Sequence, residues 1–255
     1  MKYLYNFWFN QFKNFALLLF IISCQNKYAL QYTRPHNYQV KADSILVPEP
    51  NTQKLIMPYK NKLDSLMNKV LIIADDVFEK KLPTGTLGSM FCDVVFNYAM
   101  GLNLNVKPDF CLMNNGGLRI PTIQKGPVSI NTAYELMPFE NELVIVVLDG
   151  KNCKKLFTSI AQAGGAPVSN LKMHISNNDA QNIIIGNMPF DENKSYNILT
   201  SDYLANGGDK ADALTKATNV ISLNIKLRDA FIYELENMNK KGLTLKAPTD
   251  ERITK

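Results

Sequence analysis

The chain has 255 residues, of which 46% are hydrophobic, and it carries a formal net charge of +5 at pH 7. This length is enough for one sizeable domain with its own core. The charge is mild and contains no block of like charges, so the composition gives no indication of a nucleic-acid partner.

The first residues resemble an export signal. Residues 15–22 are an unbroken apolar run of eight residues. A bilayer-spanning helix needs ~20, so this run is too short to span and is typical of a signal-peptide core. It ends in Ile21-Ile22-Ser23-Cys24, which resembles a bacterial lipoprotein cleavage box. We therefore expect a signal peptide over residues 1–23 and a lipid anchor on Cys24 that holds the protein to a membrane of the bacterial cell envelope. A plain secretory peptide with an incidental cysteine is the alternative.

Removal of this leader leaves 26 basic and 23 acidic residues, a net charge of +3. The remaining cysteines, Cys92, Cys111 and Cys153, are odd in number, widely spaced and embedded in apolar runs. We expect buried thiols rather than disulfides or metal ligands. The chain has only two histidines, His36 and His174.

Hydrophobic patterning predicts the elements that follow. Residues 24–52 are polar with scattered prolines, which is typical of a tether and an extended segment before one domain over residues 53–255. Apolar residues recurring at three and four predict helices over residues 55–71, 87–98, 152–163 and 225–238. Apolar runs predict strands over residues 70–78, 110–113, 143–148, 171–176, 181–185, 196–200 and 220–223. Residues 129–136 are expected to be a linker with a short strand-like start. Because the helices do not alternate regularly with the strands, we predict an α+β fold with mixed sheets and packed helices.

Three predicted loops carry polar and aromatic residues next to apolar strands: Asn114–Arg119, Pro138–Asn141 and Tyr203–Asp209. Asparagine and glycine in the first loop favour a sharp turn with positive φ. That turn would present Arg119, whose planar fork suits phosphate or carboxylate. An ordinary turn with a solvated arginine explains the same pattern.

The other two loops supply the remaining parts of a nucleotide site. Phe139 and Tyr203 offer two aromatic faces, and stacking on such a face contributes ~1–3 kcal/mol per base. Asp209 offers two acceptor oxygens suited to the paired hydroxyls of a ribose. The alternatives are that Phe139 belongs to the core and that the Gly-Gly-Asp sequence is only a turn.

The spaced motifs resemble a known domain. Asn-x-Gly-Gly-Leu-Arg at 114–119, Met-Pro-Phe-x-Asn-x-Leu at 137–143 and Thr-Ser-Asp-Tyr-Leu-Ala-Asn-Gly-Gly-Asp at 200–209 are similar to the C-terminal domain of the 5′-nucleotidase / UDP-sugar hydrolase family. The resemblance covers roughly residues 55–255 in the family's order.

This resemblance implies the roles of individual residues. Phe139 and Tyr203, the latter standing where the family usually has Phe, would sandwich the base. Asp209 would bind the ribose and Asn114 the base or sugar edge, while Arg119 would face the phosphate. Lys81 stands where family members carry an arginine, so its grip on phosphate would lack bidentate geometry. The binding motifs also include Gly116, Gly117 and Asn141.

In that family a separate metallophosphatase domain cleaves the substrate with two metal ions, and such a centre needs a cluster of Asp, His and Asn ligands. Two isolated histidines cannot build one. We therefore expect this chain to hold the substrate without catalytic residues, cofactor or metal of its own, and to act with a separate metallophosphatase chain that carries the divalent metals. A lipoprotein that captures nucleosides or nucleotides without hydrolysis is a second hypothesis, and a degenerate domain kept as an interaction surface is a third.

Overall fold

The structure, a computed structural model, describes residues 49–255, so the predictions for the signal peptide, Cys24 and most of the tether lie outside the described residues. Residues 51–255 form one compact unit. The helices of the described part are α1 Pro50–Met67, α2 Thr86–Gly101, α3 Ile130–Leu136, α4 Gly150–Gln162, α5 Asp202–Ala205 and α6 Leu227–Lys240. Its strands are β1 Val70–Ala74, β2 Phe78–Glu79, β3 Phe110–Leu112, β4 Thr122–Ile123, β5 Gly126–Ser129, β6 Glu142–Asp149, β7 Val168–Ser169, β8 Leu171–Ser176, β9 Asp179–Ile185, β10 Met188–Pro189, β11 Ser195–Ser201, β12 Asn219–Lys226 and β13 Ile253–Thr254.

A five-stranded sheet with the order β12-β6-β11-β3-β7 lies at the centre of the fold. Strand β11 runs parallel to β3 and antiparallel to β6. The carboxyl ends of β3 and β11 therefore lie at the same edge of the sheet as the amino end of β6. The mixed sheet and its packed helices confirm the predicted α+β class.

Both faces of the sheet are buried along β6, which explains the unbroken apolar run in this strand. Leu143 and Ile145 join a core built with α2 and α6, in which the Phe91 and Phe231 rings lie 4.8 Å apart. The intervening Val144 and other residues of β6 join a second core built with α4 and the β8–β9 hairpin. Burial on two faces requires apolar side chains at consecutive positions rather than at alternate ones.

The prediction for residues 129–136 is wrong, because most of this segment is helix α3. Its strand-like start is the end of β5, and the helix begins directly after it. The Ser129 hydroxyl accepts from the Thr132 amide at 3.3 Å, and the Thr132 hydroxyl accepts from the Ser129 amide at 3.2 Å. This reciprocal capping satisfies two backbone donors and starts a helix whose seven residues are too few for a clear apolar period.

A helix forms in the predicted region, but it spans Pro50–Met67 instead of residues 55–71, and none of its residues is buried. Of the apolar residues that predicted it, Ile56, Tyr59, Leu63 and Leu66 are exposed by more than half. Periodicity therefore identified the helix correctly without revealing whether the apolar face is covered.

The predicted state of the cysteines is confirmed for the described part of the chain. Cys92, Cys111 and Cys153 are free and buried. Burial raises the pKa of the Cys153 thiol to about 12, so it remains protonated at neutral pH. Among residues 49–255, no helix has the length and apolar character needed to cross a membrane.

Candidate functional site

The three motif loops meet at one edge of the central sheet. Asn114–Arg119 follows β3, Tyr203–Asp209 lies just beyond the end of β11, and Pro138–Asn141 precedes β6. Between them lies a pocket of about 300 Å³. Its lining residues are Asn114, Gly116, Gly117, Arg119, Phe139, Asn141, Tyr203 and Asp209. The structure thus brings together eight of the nine residues that the motifs indicated, and their roles in binding stay predictions.

Lys81 is the ninth residue, and it lies outside this lining. Its neighbour Lys80 reaches the first loop instead, because the Lys80 ammonium donates a hydrogen bond to the Leu118 carbonyl at 2.9 Å. The proposed contact of Lys81 with phosphate therefore stays a prediction.

The first loop turns differently from the sequence prediction. Asn115–Gly117 forms a 3₁₀ turn, and neither of its glycines has a positive φ. A Cβ at position 117 would lie 2.8 Å from Asn114 Oδ1, so a larger residue there would displace the Asn114 side chain. This close approach lets the Asn114 amide pass over the turn toward the pocket.

The third loop combines a short helix with a left-handed turn. The Ser201 hydroxyl caps α5 by accepting from the Leu204 amide at 3.2 Å. Gly207 then has φ 88°, and Asp209 itself has φ 51°. Gly208 allows the backbone to pass beneath the Tyr203 ring, where a Cβ would lie 2.4 Å from two ring atoms. Aspartate tolerates the left-handed region better than most residues, so this turn can present the Asp209 carboxylate to the pocket.

The Asp209 carboxylate is held from two sides. The Asn114 amide donates to Asp209 Oδ2 at 2.6 Å, and the Tyr203 hydroxyl donates to Asp209 Oδ1 at 2.9 Å. This hydrogen bond from Tyr203 raises the pKa of its phenol above the ordinary value, because the protonated phenol is the form that can donate. Two of the three loops are thereby joined through one carboxylate.

The second loop places an aromatic side chain at the opening of the pocket. Phe139 is 40% exposed, which excludes the alternative that it belongs to the core. The Arg119 guanidinium carbon lies 5.8 Å from the centroid of the Phe139 ring, and Arg119 Nη1 lies 3.5 Å from the Gly116 carbonyl oxygen. Tyr203 is 44% exposed, so both aromatic side chains are partly open to solvent at the pocket.

Two further residues hold these loops in place, and neither was among the predicted site residues. Asp202 Oδ1 accepts from the Glu142 amide at 3.1 Å and from the Tyr203 amide at 2.8 Å, which ties the third loop to the start of β6. Arg228, on α6, donates to carbonyl groups of the second loop. An aspartate inside a motif and an arginine 88 residues beyond Glu140 carry no local signal of these contacts.

The described part of the chain contains no group of three or more His, Cys, Asp or Glu residues that could hold a metal ion. His174 lies on β8, where its Nδ1 is 3.0 Å from the Thr254 hydroxyl oxygen. The pocket residues are instead suited to a ligand that combines an aromatic face, hydroxyl groups and negative charge.

Comparison with known proteins decides the family. A model of the family described as "5′-nucleotidase, C-terminal domain" matches residues 72–216. The chain belongs to this family. The matched range includes all three motif loops and the central strands that position them.

Individual members of the 5′-nucleotidase family show the same likeness. The chain is 26% identical over 132 residues to Protein UshA of Yersinia enterocolitica, a match that covers 49% of this chain and 24% of that protein. It is 25% identical over 154 residues to the 5′-nucleotidase of Vibrio vulnificus, covering 58% of this chain and 28% of that protein. The crystal structure of the 5′-nucleotidase precursor from Thermus thermophilus shares the fold with a TM-score of 0.67 at 21% identity, covering 80% of this chain and 43% of that chain. The chain therefore matches about a quarter of the length of these two sequence relatives.

Proposed function

We propose that this chain binds a nucleotide or nucleoside in the three-loop pocket and serves as the substrate-binding part of a 5′-nucleotidase-type phosphoester hydrolase. The observation that carries the proposal is the convergence of Phe139, Tyr203, Asp209 and Arg119 on one pocket of about 300 Å³. Each residue type matches one part of a nucleotide, and membership of the 5′-nucleotidase family makes nucleotides the favoured class of ligand.

The base would lie between the two aromatic rings. Phe139 and Tyr203 come from different loops and are both about two-fifths exposed, so their faces are open to the pocket. Stacking contributes ~1–3 kcal/mol per base and tolerates any base, since every base has a π-face. The aromatic pair would therefore supply affinity without deciding between purines and pyrimidines.

The ribose would bind Asp209. A carboxylate oxygen has two lone-pair sites, and the protein occupies one on each oxygen through Asn114 and Tyr203. One site on each oxygen is left for the two neighbouring hydroxyls of a ribose. The protein contacts fix the direction in which these sites point, which lowers the cost of ordering the carboxylate on binding.

The phosphate would face Arg119, which is exposed at the pocket and carries a fork of N–H donors. Lys80, held against the Leu118 carbonyl, adds positive charge on the same side of the first loop. Nucleosides would then bind through base and ribose alone, and nucleotides would gain the interaction with Arg119.

We further propose that hydrolysis depends on a metallophosphatase chain that presents two metal ions to the phosphate held here. A two-metal centre clamps the attacking and leaving oxygens, and residues 49–255 contain no group of three or more His, Cys, Asp or Glu residues that could hold a metal ion. Lipidation of Cys24 would hold the chain at the cell envelope, which metabolic labelling of the wild-type chain with a fatty acid, compared with Cys24→Ala, would test.

Two measurements on the purified chain test the function. Calorimetry with AMP, adenosine and UDP-glucose should show binding of at least one base-bearing ligand. With Mn²⁺ or Zn²⁺ the chain alone should release no phosphate from AMP, and addition of a metallophosphatase chain should produce release. Binding without any such gain would favour the capture hypothesis, and robust turnover by the chain alone would contradict the proposed division of labour.

A further inference from the structure

We infer that Arg228 is a positioning residue that holds Phe139 in the orientation needed to stack on a base. Arg228 lies on the first turn of α6, and its side chain extends to the second loop rather than into the pocket. The inference rests on the proposed function, because it assigns a purpose to Arg228 only if Phe139 stacks on a ligand.

The Arg228 guanidinium contacts the segment that carries Phe139 at several points. Its Nη1 donates to the Met137 carbonyl at 3.2 Å and lies 3.5 Å from the Phe139 carbonyl oxygen. Its Nη2 donates to Glu140 Oε1 at 2.5 Å. One planar guanidinium thus contacts three of the four residues from 137 to 140.

The guanidinium is itself fixed. Arg228 is only 5% exposed, and its guanidinium carbon lies 4.0 Å from the centroid of the Tyr134 ring on α3. Stacking of a guanidinium on an aromatic face is favourable and restricts its rotation. At the other end of the loop, the Leu227 amide donates to the Asn141 carbonyl at 2.8 Å. The start of α6 therefore holds both ends of the segment that carries Phe139.

Phe139 needs such support because its side chain is not packed into a hydrophobic core. Its side chain is 40% exposed and belongs to neither core of the described chain. Met137 is buried and anchors the segment on one side, but the backbone then leaves the core. Outside both cores, the Phe139 ring depends for its direction on the backbone that Arg228 holds and on the Arg119 guanidinium, whose carbon lies 5.8 Å from the ring centroid.

The first test measures ring mobility without any ligand. In a chain with Trp8→Phe, which removes the single natural tryptophan, Phe139→Trp places an indole in the loop. Time-resolved fluorescence anisotropy should show restricted motion of this indole. Addition of Arg228→Met should release it, whereas Lys226→Met should not. Lys226 is the control because its ammonium pairs with Glu142 and acts on Glu140 through its charge rather than through a hydrogen bond. Equal restriction with and without Arg228 would overturn the inference.

The second test compares the binding of a ligand that has a base with the binding of a ligand that lacks one. Arg228→Met should weaken AMP binding about tenfold, which corresponds to about 1.4 kcal/mol, while leaving ribose 5-phosphate binding unchanged. Combining Arg228→Met with Phe139→Ala should weaken AMP binding no further than Phe139→Ala alone. An equal loss for both ligands would show general damage and would overturn the inference.

Arg228→Lys provides the same test if the methionine variant does not fold. It keeps the charge but lacks the fork that contacts several acceptors at once, so its AMP affinity should be lower than that of wild type, while its ribose 5-phosphate affinity should match wild type. A wild-type chain that binds neither ligand would overturn the proposed function itself. Unchanged AMP affinity in Arg228→Lys and Arg228→Met would overturn only the role of Arg228.

Discussion

The Tyr203 hydroxyl donates to Asp209 Oδ1 at 2.9 Å, so the aromatic ring and the carboxylate of the third loop are held by each other. Because the pKa of Tyr203 is raised above its ordinary value of 10.0, the donor stays protonated throughout the neutral range. The phenol loses the proton that it donates when the pH rises through that elevated pKa.

Two substitutions at Tyr203 should distinguish the contribution of the ring to AMP affinity from that of the hydroxyl. Tyr203→Phe keeps the stacking face, so we expect AMP affinity within about threefold of wild type, a change below about 1 kcal/mol. Tyr203→Ala removes the ring and should cost at least about tenfold, since stacking contributes ~1–3 kcal/mol. Calorimetry with AMP gives both values. Equal losses in the two variants would mean that the hydroxyl, not the ring, contacts the ligand.

Asp209→Asn should reduce the preference for ribose over deoxyribose. Hydrogen bonds to charged groups contribute about 1.5–3 kcal/mol, so the variant should lose about tenfold in AMP affinity. Its affinity for 2′-deoxy-AMP should change much less, because one of the two hydroxyls is already missing. Asp212→Asn is the control, since Asp212 lies close by in the chain but outside the pocket lining. A uniform loss for both ligands would assign Asp209 a structural role.

Arg119→Met should affect phosphorylated ligands selectively. The arginine is exposed at the pocket and packs near Phe139. We expect AMP affinity to fall about tenfold, in line with ~1.5–3 kcal/mol for a hydrogen bond to a charged group, and adenosine affinity to stay close to wild type. Lys125→Met removes an exposed charge outside the pocket lining and serves as the control. Equal weakening of adenosine would place Arg119 against the base or ribose.

Acid should weaken binding through the second loop. Arg228 lowers the pKa of Glu140 below its ordinary value of 4.5 by hydrogen bonding and charge. A lowered pKa means that the ion pair is intact above the ordinary value and is lost as the pH falls through the lowered one. Adenosine affinity should therefore be constant from about pH 8 to about pH 5 and should fall below that range. In Glu140→Gln, adenosine affinity should fall less at acid pH than in wild type. An unchanged dependence of adenosine affinity on pH in that variant would show that Glu140 does not cause the decrease.

Arg252 should be important for stability rather than for binding. This arginine is 6% exposed and pairs with both oxygens of Asp93 at 2.8 and 2.7 Å. It also donates to the Val168 carbonyl at 2.7 Å, which ties the C-terminal segment to α2 and β7. Removing one partner of a buried pair costs about 3–5 kcal/mol, so Arg252→Met should lower the free energy of unfolding in urea by about 3 kcal/mol. Asp93→Asn in the same chain should recover part of the loss, and a loss below about 1 kcal/mol would show that the pair behaves as a surface ion pair.

Local patterns in the sequence predicted most of the elements near the site. Residues 143–148 are apolar at every position because both faces of β6 are buried, and the Asn177-Asn178 turn lies between β8 and β9 as predicted. Helix α3 was missed because its start depends on the reciprocal cap between Ser129 and Thr132 rather than on an apolar period.

The candidate site could be predicted only in part, because motifs identify residue types and not the contacts that hold them. The motifs selected the eight residues that line the pocket. They could not indicate Arg228, whose partners lie about 90 positions earlier in the chain, or the hydrogen bonds of Asp202. These contacts depend on α6 packing beside α3 and on the parallel pairing of β3 with β11, which bring distant segments together.

The most direct measurement is calorimetric titration of AMP into the wild-type chain and into the Phe139→Ala, Tyr203→Ala double variant. Tyr233→Ala, which truncates an exposed tyrosine of α6 outside the pocket lining, is the control. We predict saturable binding by the wild type and the control and a loss of at least about tenfold in the double variant, since two stacking faces are removed. Absence of AMP, adenosine and UDP-glucose binding by the folded wild-type chain, or equal AMP affinity in all three proteins, would contradict nucleotide binding in the three-loop pocket.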